Sequence, residues 1–226
     1  MHIMEGFLPA SWCALWFVLS IPFVAFGIRK LEHLFRDKPE LKPLIAVVGA
    51  FIFVLSAIKV PSVAGSSSHA TGTGLAAILF GPAVSAVMSV IVLLYQAIFL
   101  AHGGLTTLGA NVFSMGVAGP IVAYTVYKIC LYAKISIAPA IFMAATLGDL
   151  FTYTITSLQL ALAYPAPIGG VITSMETFMG IFAITQIPIA ILEGLITVTI
   201  YRYIQHNRAD LLAGFHMKNT KEVDAA

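Results

Sequence analysis

The stretch GLAAILFGPAVSAVMSVIVLLYQAIFLA, residues 74–101, decides the topology of this chain. It is mostly apolar, but the pair Gly81-Pro82 interrupts it near its first third. A proline inside a helix removes a backbone hydrogen bond and clashes with the preceding turn, so this pair predicts a break or a sharp turn. The stretch therefore crosses a membrane either once or twice, and the number of crossings sets the orientation of all that follows.

The composition indicates a membrane protein. Of the 226 residues, 59% are hydrophobic and 10% are charged, and the mean hydropathy is +0.95. A soluble domain carries about 25% charged residues, so lipid must be the main solvent of this chain. Its length holds about six or seven spans of roughly 20 residues and leaves little for a soluble domain. The net charge of +2, with no basic cluster beside exposed aromatic residues, gives no indication of nucleic acid as a partner.

The distribution of lysine and arginine distinguishes one crossing from two. Further apolar runs cover about 11–28, 44–60, 111–132, 137–163 and 176–204. With two crossings and an outer N-terminus, eleven of the twelve basic residues are cytoplasmic, whereas one crossing leaves five inside and six outside. Because basic residues concentrate on the cytoplasmic side, we expect two crossings. The predicted fold is an all-α polytopic membrane protein with seven transmembrane helices, its N-terminus outside and its C-terminus cytoplasmic.

The third of these helices must be short. Residues 72–81 would rise only about 15 Å as a helix, against a hydrocarbon core of about 30 Å. The loop before it, SSSHATGTG at 66–74, must then dip into the protein from outside, where irregular backbone is tolerated only if protein or a water-filled cavity surrounds it. No internal repeat, low-complexity tract or linker is apparent, so we expect one transmembrane domain over 1–208 and a flexible cytoplasmic tail over 209–226.

The first two residues, Met1 and His2, can chelate a metal ion. The α-amino group, the His2 amide nitrogen and the His2 imidazole close rings of five and six members around one ion. A second imidazole would complete a plane of four nitrogens, which suits Ni(II) or Cu(II) and into which Co(II) can be forced. His69, on the same side of the membrane, is the candidate fourth ligand. The alternatives are that His2 is a disordered terminal residue and that His69 is a helix-packing hydrogen-bond donor.

Other polar residues could support such a site. Ligating imidazoles usually donate their second nitrogen to a partner, and the sequence does not choose among six candidates. These are Glu5, Ser66, Ser67, Ser68, His102 and Asn111. His102 could instead be an outer metal ligand or a helix-end histidine that faces water. Four polar residues fall within spans, where they either handle ions or form hydrogen bonds between helices. These are Asp149, Gln159, Gln186 and Glu193.

Several catalytic motifs are absent from the sequence. It contains no Gly-x-x-x-x-Gly-Lys-Ser/Thr loop, no His-Glu-x-x-His pair and no Gly-x-Ser-x-Gly elbow. The chain therefore has no ATPase motif of its own and we do not expect an enzyme; if it transports a solute actively, the energy comes from another chain. One rival hypothesis is a stand-alone metal channel or proton-coupled permease that uses Asp149 and Glu193. The other is a membrane enzyme, which would need an open coordination position and a nearby acid or base.

Four segments together resemble the substrate-binding subunit of cobalt and nickel energy-coupling-factor transporters, the CbiM/NikM family. The segments are MHIMEGFLP at 1–9, PSVAGSSSHATGTG at 61–74, AHGGLTTLGAN at 101–111 and SLQLA at 157–161. The resemblance covers nearly the whole chain up to about Arg208. One departure is Ser68-His69-Ala70, where many relatives have His-Pro, which would loosen the loop but leave the ligand in place.

The resemblance implies a function. It implies seven helices, an N-terminus tucked into the core, and a four-nitrogen plane from Met1, His2 and His69 that holds Ni(II) or Co(II) as the transported substrate. It implies a prokaryotic inner (plasma) membrane as the location. It also implies three kinds of partner: a transmembrane scaffold subunit, ATPase subunits and a small accessory membrane protein.

Overall fold

Six helices of this protein are long and apolar enough to cross a membrane. The computed structural model describes residues 1–61 and 65–216, and the six helices are counted within these residues. They span Ala10–Asp37, Pro39–Ala57, Pro82–Leu100, Leu108–Tyr132, Ile137–Ala163 and Gly170–Asn207. The protein is thus a mostly helical, polytopic membrane protein, as the composition predicts.

The elements follow one another along the chain in this order. They are β1 (His2–Ile3), α1 (Ala10–Asp37), a 3-10 turn (Pro39–Leu41), α2 (Lys42–Ala57), β2 (Val60–Pro61), β3 (Ser66–Ser68), α3 (Thr73–Phe80), α4 (Pro82–Leu100), α5 (Leu108–Asn111), a π-helical segment (Val112–Ala118), α6 (Gly119–Tyr132), α7 (Ile137–Ala163), α8 (Gly170–Asn207) and α9 (Ala209–His216).

The break at Gly81-Pro82 lies where the sequence predicts it. Helix α3 ends at Phe80, Gly81 takes a positive φ of 86°, and Pro82 begins α4. A proline at the first position of a helix loses nothing, because the N–H there has no partner within the helix. All eight residues of α3 are buried, so this short helix is surrounded by other helices.

The bundle is apolar on its outer surface, and its interior buries polar side chains beside two apolar core clusters. Large apolar side chains such as Phe26, Ile98 and Ile184 are exposed on the helices, whereas Gln186 and Glu193 are fully buried. In a bilayer this arrangement is favourable, because lipid tails accept apolar surface and buried polar groups can satisfy one another.

Small residues let the central helix α7 approach its neighbours closely. A Cβ atom added at Gly148 of α7 would lie 2.8 Å from Ala123 Cβ of α6, and one added at Gly119 would lie 3.0 Å from the Gly148 carbonyl oxygen. Helices in lipid associate largely through such close packing, because water does not drive them together.

A three-stranded sheet, which the sequence did not predict, joins the N-terminus to the loop before α3. The strand order is β1-β3-β2, both pairings are antiparallel, and His2 lies opposite Ser67. The strands have only two or three residues, too few to show a period-two pattern in the sequence. They form because backbone N–H and C=O groups buried between helices need partners.

The start of the expected C-terminal tail is helical. Residues 209–216 form α9, in which Leu211 and Leu212 are buried against the bundle. These leucines supply apolar surface that a purely solvated tail would lack. Residues 217–226 lie outside the described residues, so the domain boundary at 208 stays a prediction.

Candidate metal centre

The first residues of the chain are fixed inside the bundle. Met1 and His2 have 0% exposed surface. The Ile3 N–H donates to Asn111 Oδ1 at 2.8 Å, while Asn111 Nδ2 and Thr107 Oγ1 donate to the Ile3 carbonyl oxygen at 3.0 and 2.9 Å. The side chains of Thr107 and Asn111 therefore hydrogen-bond to both the N–H and the carbonyl group of Ile3. These bonds fix the position of the N-terminal amine and the His2 backbone.

His69 follows directly after β3 and is equally buried. Its Nδ1 lies 2.8 Å from the Ala70 carbonyl oxygen. Because a carbonyl oxygen only accepts, Nδ1 carries the proton and the lone pair of this neutral imidazole is on Nε2. His69 Nε2 is buried and has no hydrogen-bond partner among the described residues.

Three imidazoles, of His2, His69 and His102, lie together, and we call them the imidazole cluster. The His2 ring centroid lies 4.2 Å from that of His69 and 4.3 Å from that of His102, and the last two are 4.9 Å apart. One ring nitrogen from each histidine can be chosen so that all three lie within 4.8 Å of one another. The sequence pairs His2 with His69 and offers His102 as a candidate partner of these imidazoles or as an outer ligand, and the structure places His102 beside both.

The imidazole cluster is short of hydrogen-bond partners. His2 Nε2, His69 Nε2 and His102 Nδ1 are buried and have none within the part of the chain that the structure describes. Buried polar atoms without a partner are rare, and an ion is one of the groups that can satisfy them. The donor set of three imidazoles beside an α-amino group therefore suits a borderline or soft divalent ion of the late first transition series.

The electrostatics keep the nitrogens of the site unprotonated. Burial, together with the neighbouring positive groups, lowers the pKa of His2 and of His69 well below the ordinary value. Burial also lowers the pKa of His102 to about 3 and that of the Met1 amine to about 6. At neutral pH these groups are thus neutral, with their lone pairs available to a cation.

The six candidate supporting residues behave differently from one another. Ser67 Oγ lies 2.9 Å from His102 Nε2, so it contacts the imidazole cluster directly. Asn111 holds Ile3 instead of an imidazole, the Glu5 carboxylate accepts from Thr106, and Ser68 Oγ accepts from Thr185 Oγ1 at 2.8 Å. Ser66 is buried in β3 and pairs with Ile3 there.

The polar residues of the spans hold the loop that carries His69. The Glu193 carboxylate accepts hydrogen bonds from Thr71 Oγ1 at 2.8 Å, from the Gly72 N–H at 3.0 Å and from the Thr71 N–H. Gln186 Nε2 donates both to the His69 carbonyl oxygen at 3.1 Å and to Asp149 Oδ2 at 2.7 Å. These contacts are the hydrogen bonds between elements that the sequence analysis gave as one alternative.

Gln159 has the same kind of role at another place. Its Nε2 donates to the Ala110 carbonyl oxygen at 3.0 Å, which ties α7 to α5. Helix α5, which hydrogen-bonds to Ile3, is thereby attached to α7.

Known proteins are similar to this chain over most of its length. Residues 2–211 match the family CbiM, described as "Cobalt uptake substrate-specific transmembrane region". "Putative cobalt transport protein CbiM 2" of Methanosarcina barkeri is 58% identical over 216 residues, which cover 94% of this chain and 92% of that protein. "Cobalt transport protein CbiM" of Desulforamulus reducens is 58% identical over 214 residues, which cover 95% of this chain and 85% of that protein.

A solved structure is also similar. The crystal structure of a truncated transition metal transporter superposes with a TM-score of 0.80 at 27% identity, covering 91% of this chain and 99% of that one.

Proposed function

Because this chain belongs to the CbiM family of cobalt uptake transmembrane proteins, we propose that it is the high-affinity Ni(II)/Co(II)-binding subunit of an ATP-driven energy-coupling-factor transporter. The observation that carries the proposal is a fully buried N-terminus beside the imidazole cluster, in which His69 Nε2 has no partner within the described residues. Relatives that are named cobalt transport proteins support cobalt as a substrate. Nickel is added because it prefers the planar arrangement of nitrogens.

The proposed ligands are the Met1 amine, the His2 amide nitrogen, His2 Nδ1 and His69 Nε2. The fixed tautomer of His69 supports this set, because its free lone pair is on Nε2. Binding displaces the amide proton, so a divalent ion in the site keeps a net charge near +1, which costs less in a low-dielectric interior than +2. Copper would bind more tightly still, so discrimination against it comes from supply or geometry.

The proposed topology has seven crossings. Six are the long helices, and the buried helix α3 with the loop before it would make the seventh. The N-terminus and the imidazole cluster then lie on the outer side and the C-terminus in the cytoplasm of a prokaryotic cell, in its inner (plasma) membrane. The partners would be a transmembrane scaffold subunit, ATPase subunits that supply the energy, and a small accessory membrane protein.

One experiment tests the ligand set directly. The protein is purified with Met1 as its first residue, checked by intact mass, and titrated with Ni(II) and Co(II) in competition. A variant with one glycine added before Met1 should lose high-affinity binding, because the amine leaves the chelate. The control carries the same glycine after Ala226. Equal affinity of all three proteins would show that the amine is not a ligand.

A second experiment separates transport by a complex from transport by this chain alone. Vesicles that contain only this chain should take up no ion with turnover, whereas a channel or permease would do so without ATPase subunits. Neutralising Asp149 and Glu193 would abolish uptake in the rival case only.

A further inference from the structure

His102 contacts His2 Nδ1, which is one of the four nitrogens of the proposed chelate. Its Nε2 is 2.9 Å from His2 Nδ1, the atom that closes the six-membered chelate ring. His102 Nε2 is also 2.9 Å from Ser67 Oγ. The imidazole of His102 is thus within hydrogen-bond distance of the chelating nitrogen of His2, and an ion bound at that nitrogen must replace this contact.

The spacing of these two nitrogens also matches that of two ligands on one ion. Nitrogen–metal bonds of about 2.0–2.1 Å at right angles put adjacent nitrogens about 2.9 Å apart. An ion could thus contact His2 and His102 together after a rotation of the rings and without a large shift of the backbone. The ring of His102 is nearly perpendicular to both others, at 79° to His2 and 83° to His69, so it approaches them from a different direction.

His102 is the member of the cluster nearest to the surface. Ala101 before it is exposed, and so is Leu105 three residues later, whereas His2 and His69 have no exposed surface. Ala101 also has a positive φ of 45°, which is unfavourable for a residue with a Cβ atom. Such strained backbone persists where the surrounding structure holds it, often beside a functional residue. Here it turns the chain sharply after α4 and directs His102 into the cluster.

We propose that His102 is an exchange ligand, which binds the arriving ion together with the His2 and His69 imidazoles before the N-terminal nitrogens engage. This inference rests on the proposed function. Neutral imidazoles can bind an ion at once, whereas the His2 amide must first lose a proton, a step that an ion already anchored nearby promotes. The bond between the ion and His102 breaks as bonds to the amine and amide nitrogens form, and the amide proton passes to water shed by the ion.

The test measures rates as well as affinities. Stopped-flow mixing follows Ni(II) association with the purified protein that begins at Met1, and chelator challenge follows dissociation. His102→Ala and His102→Gln should slow association and dissociation alike, each by at least about tenfold, and leave the Kd within about twofold, because a ligand that the ion leaves before the final state lowers the same barrier in both directions. His69→Ala should instead speed dissociation. His206→Ala is the control, because it removes an exposed imidazole on α8 and leaves the imidazole cluster intact, and it should associate at the wild-type rate.

Added imidazole distinguishes a ligand from a structural residue. It should restore fast association to His102→Ala, whose cavity can take the free ring, and should not accelerate wild type or His206→Ala. Wild-type association rates in both His102 variants would overturn the inference, and so would slow rates that imidazole does not restore in a variant whose Tm matches wild type. If wild type itself binds no Ni(II) or Co(II), the proposed function fails; if it binds tightly and only the His102 results differ, the exchange role alone fails.

Discussion

The pH dependence of metal affinity gives the sharpest test of the buried amine. Metal binding displaces a proton from each ligand group that is protonated in the free protein. Each such proton lowers the affinity about tenfold for every unit by which the pH falls from 8 to 6. The amide is always protonated there, so it contributes about 100-fold over this interval. The amine contributes little, because burial lowers its pKa from 8.0 to about 6.

The expected loss between pH 8 and pH 6 is therefore about 200-fold, whereas an amine with the ordinary pKa would make it about 5,000-fold. Below pH 6 the amine becomes protonated as well, and the slope should approach about 100-fold per unit. Because the pKa of the amine is lowered to about 6, protons compete with the metal ion for the amine only in acidic solution. The His2 imidazole adds little to this loss, because burial lowers its pKa well below the ordinary value of 6.5.

The assay is chelator competition with the protein that begins at Met1, at constant ionic strength. The free tripeptide Met-His-Ile is the matched control, because its amine is solvated, and its affinity should fall more steeply over the same interval. A protein curve as steep as that of the peptide would refute the burial argument. A flat curve would refute the amide as a ligand.

Three further predictions concern single residues. His69→Ala should weaken Ni(II) binding by about 10- to 100-fold, as measured by equilibrium competition with a chelator. His206→Ala, at the exposed end of α8, should bind Ni(II) as the wild type does. Gly103→Ala should lower the unfolding free energy in detergent by about 1–2 kcal/mol, because its φ is 75° and a Cβ atom would lie 3.1 Å from Asn111 Nδ2. Gly180→Ala, where a helical glycine has nothing within 4 Å, should be neutral or stabilising, and the reverse order of these two variants would contradict the reasoning. Glu193→Gln should cost about 1–3 kcal/mol of stability, because the amide group brings a donor towards the N–H groups of residues 71 and 72, and it should weaken metal binding by loosening the loop of His69. An unchanged affinity in a stable Glu193→Gln protein would show that this hydrogen bonding does not position the ligand.

The sequence predicts those features that depend on local stereochemistry. The break at Gly81-Pro82 follows from what a proline does to a helix, and the buried loop follows from the short arm that the break leaves. The pairing of His2 with His69 follows from coordination chemistry and from their expected side of the membrane. None of these inferences needs to know which helices are neighbours.

The remaining features depend on contacts between distant parts of the chain. His102 meets His2 across 100 residues, and Glu193 meets Thr71 across 122. The partner of His69 Nδ1 is a main-chain carbonyl, a group that every residue offers, so no residue type could indicate it. The sheet forms because buried backbone N–H and C=O groups require hydrogen-bond partners, and strands of two or three residues are too short to show a sequence pattern.

The complete burial of Met1 has a consequence for biosynthesis. In a cell that starts its chains with formylmethionine, a formyl cap would remove the lone pair of the proposed amine ligand and add atoms to a residue with no exposed surface. With the proposed ligands, the cap would have to be removed before Met1 becomes buried. A protein that folded with its cap in place could not be repaired afterwards, so the timing of this first trimming step would decide how many copies become active.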